Sequence, residues 1–362
     1  MRLCSVDGVS IGGVGACVPE YEVDNLSFGA ELFGKDIDGA VKTTGVRTRR
    51  VCPPGSGITA LDMAVRAAEA LFGACTVRPS DVGGVIFVTQ TPDYSMPNNA
   101  SQAANLLGLS NDCAAFDASI ACPGYVYGLW LGGLTARSMS APVLLLNGET
   151  HSASPRDRST VLLFGDAGTA TLILPAGKAG DAGDAGDAGE KRWLFGFWTD
   201  GSKYDALMVP EGGARHPFNE HSLEYRGTPE SGVRRPVDIA MDGMAVFDFA
   251  VRNTPRCMAS LMEAGGVSVG DVDVLLLHQA NLYMMKQIAK RLGFPPEKMP
   301  VSLDRYGNSS SATIPVTICS ELNGRLDAPL RVLAAGFGAG MAIGVGLFNL
   351  GPCACTSVVE YR

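Results

Sequence analysis

Four short stretches carry residues that could do chemistry together. The first is Ala121-Cys122-Pro123-Gly124, which reads as the join between a strand and a helix. Pro123 suits a first helical turn, where its missing N–H is no loss. Cys122 then sits where the positive end of the helix dipole favours a thiolate, the form in which cysteine is a nucleophile. Taken alone, the stretch reads more readily as a buried cysteine of no chemical role. The second is Leu277-His278-Gln279-Ala280-Asn281, ending a strand and starting a helix. A lone histidine there is more often a core or cap residue. The third, Tyr306-Gly307-Asn308-Ser309-Ser310-Ser311, is by itself a turn and N-cap. The fourth, Gly336-Phe337-Gly338-Ala339-Gly340, is a glycine-rich turn between two strands that could present backbone N–H groups to an oxyanion. No helix follows it, so it is not a dinucleotide loop. Gly13-Val14-Gly15 fails that test too, since Pro19 and an ongoing turn follow.

The elements that must hold these stretches follow from hydrophobic spacing. Leu61, Ala64, Val65, Ala68, Leu71 and Phe72 share one helical face. The pattern then predicts a strand over Gly84 to Gln90, a helix over Asn99 to Leu107 and a strand over Cys113 to Ala118. Next come a helix over Cys122 to Arg137 and a strand over Val143 to Leu146. Two further strands, Val161 to Phe164 and Ala170 to Leu174, flank a turn at Gly165 to Gly168. The second half repeats the order. A helix over Gly243 to Glu263 carries a kink at Pro255. A strand over Val272 to Leu277, a helix over Leu282 to Leu292, a short strand near Val301 and a helix over Ser309 to Leu322 follow. Strands over Arg331 to Ala334 and Met341 to Phe348 close it.

Two echoes support a duplication. Ser80-Asp81-Val82-Gly83-Gly84-Val85-Ile86-Phe87 matches Gly270-Asp271-Val272-Asp273-Val274-Leu275-Leu276-Leu277, and Phe164-Gly165-Asp166-Ala167-Gly168 loosely matches Phe337-Gly338-Ala339-Gly340. The division is residues 1–175, bearing the cysteine; 176–190, an Asp-Ala-Gly low-complexity loop; and 191–362, bearing the histidine and asparagine. The loop reads as solvated surface rather than a calcium site. Gly124, Gly128 and Gly132 line one face of the first candidate central helix, and Ser311, Pro315 and Cys319 one face of the second. Such faces let helices approach closely. Glycine in a helix interior costs about 1 kcal/mol each, so packing must offset it.

Hydrophobic residues make up 46% of the 362 residues and charged ones 18%, so the chain buries a core. A net charge of −8 argues against a basic nucleic-acid-binding face. Ten cysteines without a Cys-x-x-Cys pair, beside four histidines, argue against a zinc site or a disulfide framework. Cys353 and Cys355 could bind a soft metal, though a tail with two thiols is the simpler reading. Met1 to Glu20 reads as a first strand bent at Gly12-Gly13, not a signal peptide. No apolar stretch approaches ~18 residues, so no membrane span is expected. Free thiols and no export signal fit a cytoplasmic protein.

Taken together, the four stretches resemble the thiolase-like superfamily, and most closely the beta-ketoacyl-ACP synthase III (FabH-like) family, over nearly the whole chain. The matching motifs are Ala121-Cys122-Pro123-Gly124-Tyr125, His278 to Asn281, Gly307-Asn308-Ser309-Ser310 and Phe164-Gly165-Asp166-Ala167-Gly168. The resemblance implies an α/β, duplicated, five-layered αβαβα fold and a homodimer. It implies a Cys122, His278 and Asn308 triad, with the backbone N–H groups of Cys122 and Ala339 as oxyanion hole. It also implies Arg158, Asn281, Met96 and Phe337 as substrate-binding residues. The implied reaction is a decarboxylative Claisen condensation of an acyl group on Cys122 with a malonyl thioester. Acyl carrier protein or coenzyme A thioesters serve as substrates, with no cofactor.

The chain departs from the family pattern at its pocket mouth. Gly39 stands where coenzyme A-using members often have a tryptophan, and Thr43 where they have a basic residue. Arg158 keeps the other adenine-side position. Asp248 and Tyr283 replace two residues of the usual basic carrier patch, while Lys290 and Arg291 remain. Met96, just before Pro97 in a two-proline loop, falls where the family closes the partner subunit's acyl pocket. Two other functions compete. One is transfer of the acyl group to an oxygen, nitrogen or sulfur acceptor without decarboxylation, which has less need of Asn308. The other is a non-catalytic partner subunit, which the intact triad argues against.

Overall fold

Alternation along the buried strands fixes the layering. In the strand Val143–Glu149, Val143 and Leu145 face one core while Leu144 and Leu146 face another, as a period of two requires. The computed structural model that shows this describes residues 1–176, 192–228 and 232–362. The Asp-Ala-Gly run from Asp181 to Gly189 lies outside the described residues.

Two sheets carry the fold. One orders its strands Ala354–Cys355, Val9–Pro19, Ala167–Pro175, Val143–Glu149, Gly84–Val88 and Ala114–Ala118, with Val359–Tyr361 also on Val9–Pro19. The other orders Arg2–Asp7, Arg192–Thr199, Ala342–Leu350, Leu330–Gly338 and Val274–Leu277. The pairing senses repeat. Gly84–Val88 lies parallel to Val143–Glu149, as Val274–Leu277 does to Leu330–Gly338. The next two pairings are antiparallel in both sheets.

Three cores fill the spaces, giving five layers. Leu61, Ala64, Ala68 and Leu71 of the capped helix Ala60–Ala74 cover the outer face of the first sheet. Phe249, Ala250, Met258 and Leu261 of Gly243–Gly265 cover that of the second. Between the sheets, Tyr125 and Leu129 meet Ile314 and Val316, sandwiched by Leu145, Ile173, Val274 and Val332. Each such large side chain contributes about 1.5–3 kcal/mol on burial. The glycine face packs as its spacing implies. A Cβ on Gly124 would lie 2.6 Å from Val88 and 3.0 Å from the Ser311 Cβ, so the central helices cross there. Pro255 lies inside Gly243–Gly265 and cannot donate to the Val251 carbonyl one turn earlier; Arg291 donates to it instead, at 3.0 Å.

Several expected elements differ. Met1 to Glu20 forms two strands, broken at Gly8, and they join different sheets; a bulge lies between Ile11 and Gly13. Val161 to Leu163 is turn and Phe164 makes only an isolated bridge to Asn308; Val161 and Leu162 are buried against Ile37, Ala40 and Val41 of the helix Ile37–Thr44. The segment near Val301 pairs through side chains, with Ser302 N–H donating to Gln279 Oε1, so no strand forms. Ser309 to Leu322 is not one α-helix but a 3₁₀ turn, the α-helix Thr313–Thr317 and a π-helical turn Ile318–Leu322. Its β-branched run and Pro315 account for the break. Gly336 to Gly338 belong to the strand Leu330–Gly338, which leaves a shorter turn at Ala339, Gly340 and Met341.

Candidate active site

Cys122 precedes the helix Gly124–Met139, with Pro123 at its N-cap in a helical conformation. The thiol is buried, and the strand Leu330–Gly338 presses against it. A Cβ on Gly338, whose φ is +154°, would sit 2.8 Å from both Cβ and Sγ of Cys122, so only glycine fits. Burial dominates the thiol's electrostatics and pushes its pKa up to about 11. The Ser310 hydroxyl and the N–H groups of Ala339 and Cys122 itself pull the other way. The helix start therefore does not lower this thiol below the ordinary value, because desolvation of the anion outweighs the helix dipole.

His278 ends the strand Val274–Leu277, its N–H donating to Ala335 O at 2.8 Å. The ring is buried, with Phe337 at its edge, 5.5 Å away. Burial holds it neutral, its pKa lowered to about 3. Nδ1 lies 2.8 Å from Thr313 Oγ1, and that hydroxyl also reaches Ser310 O at 2.8 Å. When the hydroxyl donates to Ser310 O, Nδ1 carries the ring proton. When it turns to Nδ1, the proton moves to Nε2.

Asn308 is clamped by the Phe164-Gly165-Asp166 motif. Its N–H donates to Leu163 O at 2.8 Å, and its carbonyl accepts from Gly165 N–H at 3.1 Å. A Cβ on Gly165 would fall 2.0 Å from Tyr306 O, so glycine there is what lets this loop approach. Asp166 accepts from the N–H groups of Cys52 and His151, each at 2.8 Å, and fixes the motif in turn. The Asn308 Oδ1 accepts from Ser310 N–H at 2.9 Å. That bond identifies the amide oxygen and leaves the Nδ2 hydrogens as donors.

One cavity of about 760 Å³ is lined by Cys122, His278 and Asn308 at its buried end. Asn281, Phe337 and Arg158 line it as well. Asn281 also caps the helix Leu282–Leu292, accepting from Met284 N–H at 3.2 Å. At the exposed end the Arg158 guanidinium lies 4.7 Å over the Phe33 ring. The mouth thus has an aromatic partner for Arg158, supplied by a residue that sequence spacing did not single out; Gly39 and Thr43 line the same mouth. Beside it Tyr283 stacks on Phe247 at 5.8 Å, and Asp248 pairs with Arg252 at 2.6 Å. Lys290 is exposed. Met96 is 85% exposed and does not line its own chain's cavity. Ala339 follows Gly338 at the strand end, and its N–H favours the Cys122 anion. Among the described residues no group of three or more His, Cys, Asp or Glu side chains is placed to hold a metal ion, and no helix is long and apolar enough to cross a membrane.

Comparison with known proteins gives the family and the fold. The family model described as 3-oxoacyl-[acyl-carrier-protein (ACP)] synthase III matches residues 116–185, and the model of its C-terminal part matches residues 262–350. The beta-ketoacyl-[acyl-carrier-protein] synthase III of Symbiobacterium thermophilum is 35% identical over 93% of this chain and 96% of its own length. The crystal structure of a 3-oxoacyl-(acyl-carrier protein) synthase from Burkholderia xenovorans superposes with a TM-score of 0.88, at 33% identity, covering 99% of both chains. That of a 3-oxoacyl-(acyl carrier protein) synthase III from Pseudomonas aeruginosa gives 0.79 at 30% identity, covering 96% of this chain and 99% of the other.

Proposed function

The chain belongs to the beta-ketoacyl-[acyl-carrier-protein] synthase III family, and from that premise we propose that Cys122, His278 and Asn308 carry out its decarboxylative condensation. In the loading half, the Cys122 sulfur attacks a thioester carbonyl. A new C–S bond forms and the carrier thiol leaves. In the second half, a malonyl thioester loses carbon dioxide, and the electron pair of the broken C–C bond remains as an enolate. Its oxygen takes hydrogen bonds from Asn308 Nδ2 and from His278 as the Nε2–H tautomer. The enolate carbon attacks the acyl carbonyl, whose oxygen is held by the N–H groups of Cys122 and Ala339, and collapse expels the Cys122 sulfur. Each well-placed donor contributes about 10²–10³ in rate.

The observation that carries this reading is the convergence of a buried thiol from one half and two hydrogen-bond donors from the other at one cavity end. The pKa values, about 11 for Cys122 and about 3 for His278, are in the wrong order for His278 to act as base toward the thiol. A donor role suits a neutral, buried imidazole better. The free amide hydrogens of Asn308 favour condensation over simple acyl transfer.

The substrates are thioesters of an acyl carrier protein, of coenzyme A, or of both. The Arg158–Phe33 stack offers a surface for a planar or anionic headgroup. Asp248 pairs with Arg252, and Arg256, Lys286 and Lys290 on the same two helices are exposed cations that a carrier could meet. A homodimer is supported by the strand Ala114–Ala118 at a sheet edge, with Phe116, Tyr94 and Met96 exposed near it. The test is intact-mass measurement after incubation with acyl-CoA and acyl-carrier thioesters, followed by malonyl thioester. An acyl increment on the Cys122 peptide, discharged as β-ketoacyl product, is expected. An increment on another residue, or discharge without carbon dioxide, would overturn the reading.

A further inference from the structure

Ser310 touches Cys122 and Asn308 directly and reaches His278 through Thr313, each through a different group. Its hydroxyl lies 3.7 Å from Cys122 Sγ, a hydrogen-bond distance for sulfur. Its N–H donates to Asn308 Oδ1 at 2.9 Å. Its carbonyl accepts from Thr313 Oγ1, which in turn meets His278 Nδ1. The residue is buried, and its φ of +52° is one that serine rarely adopts. Asparagine or glycine would suit that backbone better. Ser309 and Ser311 on either side are as buried, yet their hydroxyls meet no partner among the described residues. Of three consecutive serines, the one in the unfavourable conformation is the one whose hydroxyl reaches the nucleophile.

We propose that Ser310 is a thiolate-stabilising residue of the loading step, held at positive φ so that its hydroxyl can donate to the Cys122 sulfur while its N–H holds Asn308. The proposal rests on the reading of Cys122 as acyl carrier. A thiol buried in apolar surroundings needs donors to become an anion. The two N–H groups near the sulfur are also those expected to hold the acyl oxyanion, so they serve two steps. The Ser310 hydroxyl serves one. When the sulfur loses its proton to water it gains a full acceptor. Once acylated it is a thioester sulfur, a poor acceptor, and the hydroxyl has nothing left to stabilise. Its contribution therefore belongs to loading and not to decarboxylation.

Two variants separate the hydroxyl from the backbone. Ser310→Gly removes the hydroxyl, accepts φ of +52° without strain, and keeps both peptide groups. Ser310→Ala removes the same hydroxyl and retains a Cβ. Alkylation of Cys122 by iodoacetamide, followed by peptide mass between pH 6 and pH 10, reads thiolate availability without any acyl substrate. Both variants should alkylate about tenfold more slowly at pH 8, with the rising limb moved to higher pH, as loss of one hydrogen bond to a charged group implies. Carbon dioxide release from a malonyl thioester on preloaded Ser310→Gly should stay within about twofold of the parent. An unmoved alkylation limb overturns the proposal. So does an equal fall in decarboxylation, which would make Ser310 a loop-holding residue only. A moved limb with acyl groups found away from Cys122 would leave the Ser310 contact standing and reject Cys122 as acyl carrier.

Discussion

The two central helices occupy equivalent places in a duplicated fold, yet they are built to opposite ends. Gly124–Met139 runs as one α-helix of 16 residues, with its glycine face against the sheet and a single reactive group just ahead of it. Its counterpart starts in a run of buried polar residues, Asn308 to Ser311, and changes from 3₁₀ to α to π winding within 13 residues. The regular helix leaves Cys122 in apolar surroundings that disfavour its anion. The irregular one gathers the donors that an anion needs. Duplication supplied two equal scaffolds, and the chemistry arises from loading only one of them with polar groups.

The sharpest way to break this contrast is at the apolar end. Cys122→Ala should keep the fold and abolish the acyl increment, lowering condensation by about 10³-fold or more; an undiminished increment on another cysteine would move the nucleophile elsewhere. Next comes the clamp on the polar end. Gly165→Ala places a Cβ 2.0 Å from Tyr306 O and must displace the Asn308 loop. It should destabilise the protein by about 1–3 kcal/mol in denaturant unfolding and slow decarboxylation more than loading. Parent-like stability would show that the loop is not held as described.

The pH response sharpens the contrast further. With the Cys122 pKa pushed up to about 11, loading should rise roughly tenfold per unit between pH 7 and pH 9, as the thiolate fraction does. With His278 held neutral down to about 3, decarboxylation on preloaded enzyme should show no histidine limb between pH 5 and pH 8. A limb near pH 6.5 that vanished in His278→Ala would mean that the ring titrates in the site. The smallest effect is expected at the edge of the first half. If a second copy places Met96 against the acyl pocket, Met96→Phe should shift preference by a few-fold toward shorter chains, since methionine adapts where a ring blocks. Identical chain-length rankings would place Met96 away from the pocket.

Apolar packing is more legible in the sequence than polar pairing, for a physical reason. Periodicity reports on burial, so helices with one continuous face were placed closely, as Leu282–Leu292 shows residue for residue. Cys122, His278 and Asn308 were each ambiguous alone and gained meaning only from the matched motifs around them. What burial patterns could not reveal was how polar groups pair. Val161 to Leu163 is as buried as a strand but is turn. Ser310, Thr313 and the Gly165 clamp act through peptide and hydroxyl contacts that leave no hydrophobic period. Phe33 gave no signal, because a lone aromatic in the short helix Ala30–Phe33 gains its role only from Arg158, distant in sequence.

The division of labour itself is tested most directly by following both half-reactions on one variant. Parent and His278→Ala are loaded with an acyl thioester and scored by intact mass. Labelled carbon dioxide released from a malonyl thioester is then measured in a single turnover. The account predicts that His278→Ala loads at a rate within about tenfold of the parent, while carbon dioxide release falls by about 10²–10³. Equal loss of both steps would contradict it and make His278 a general base for Cys122.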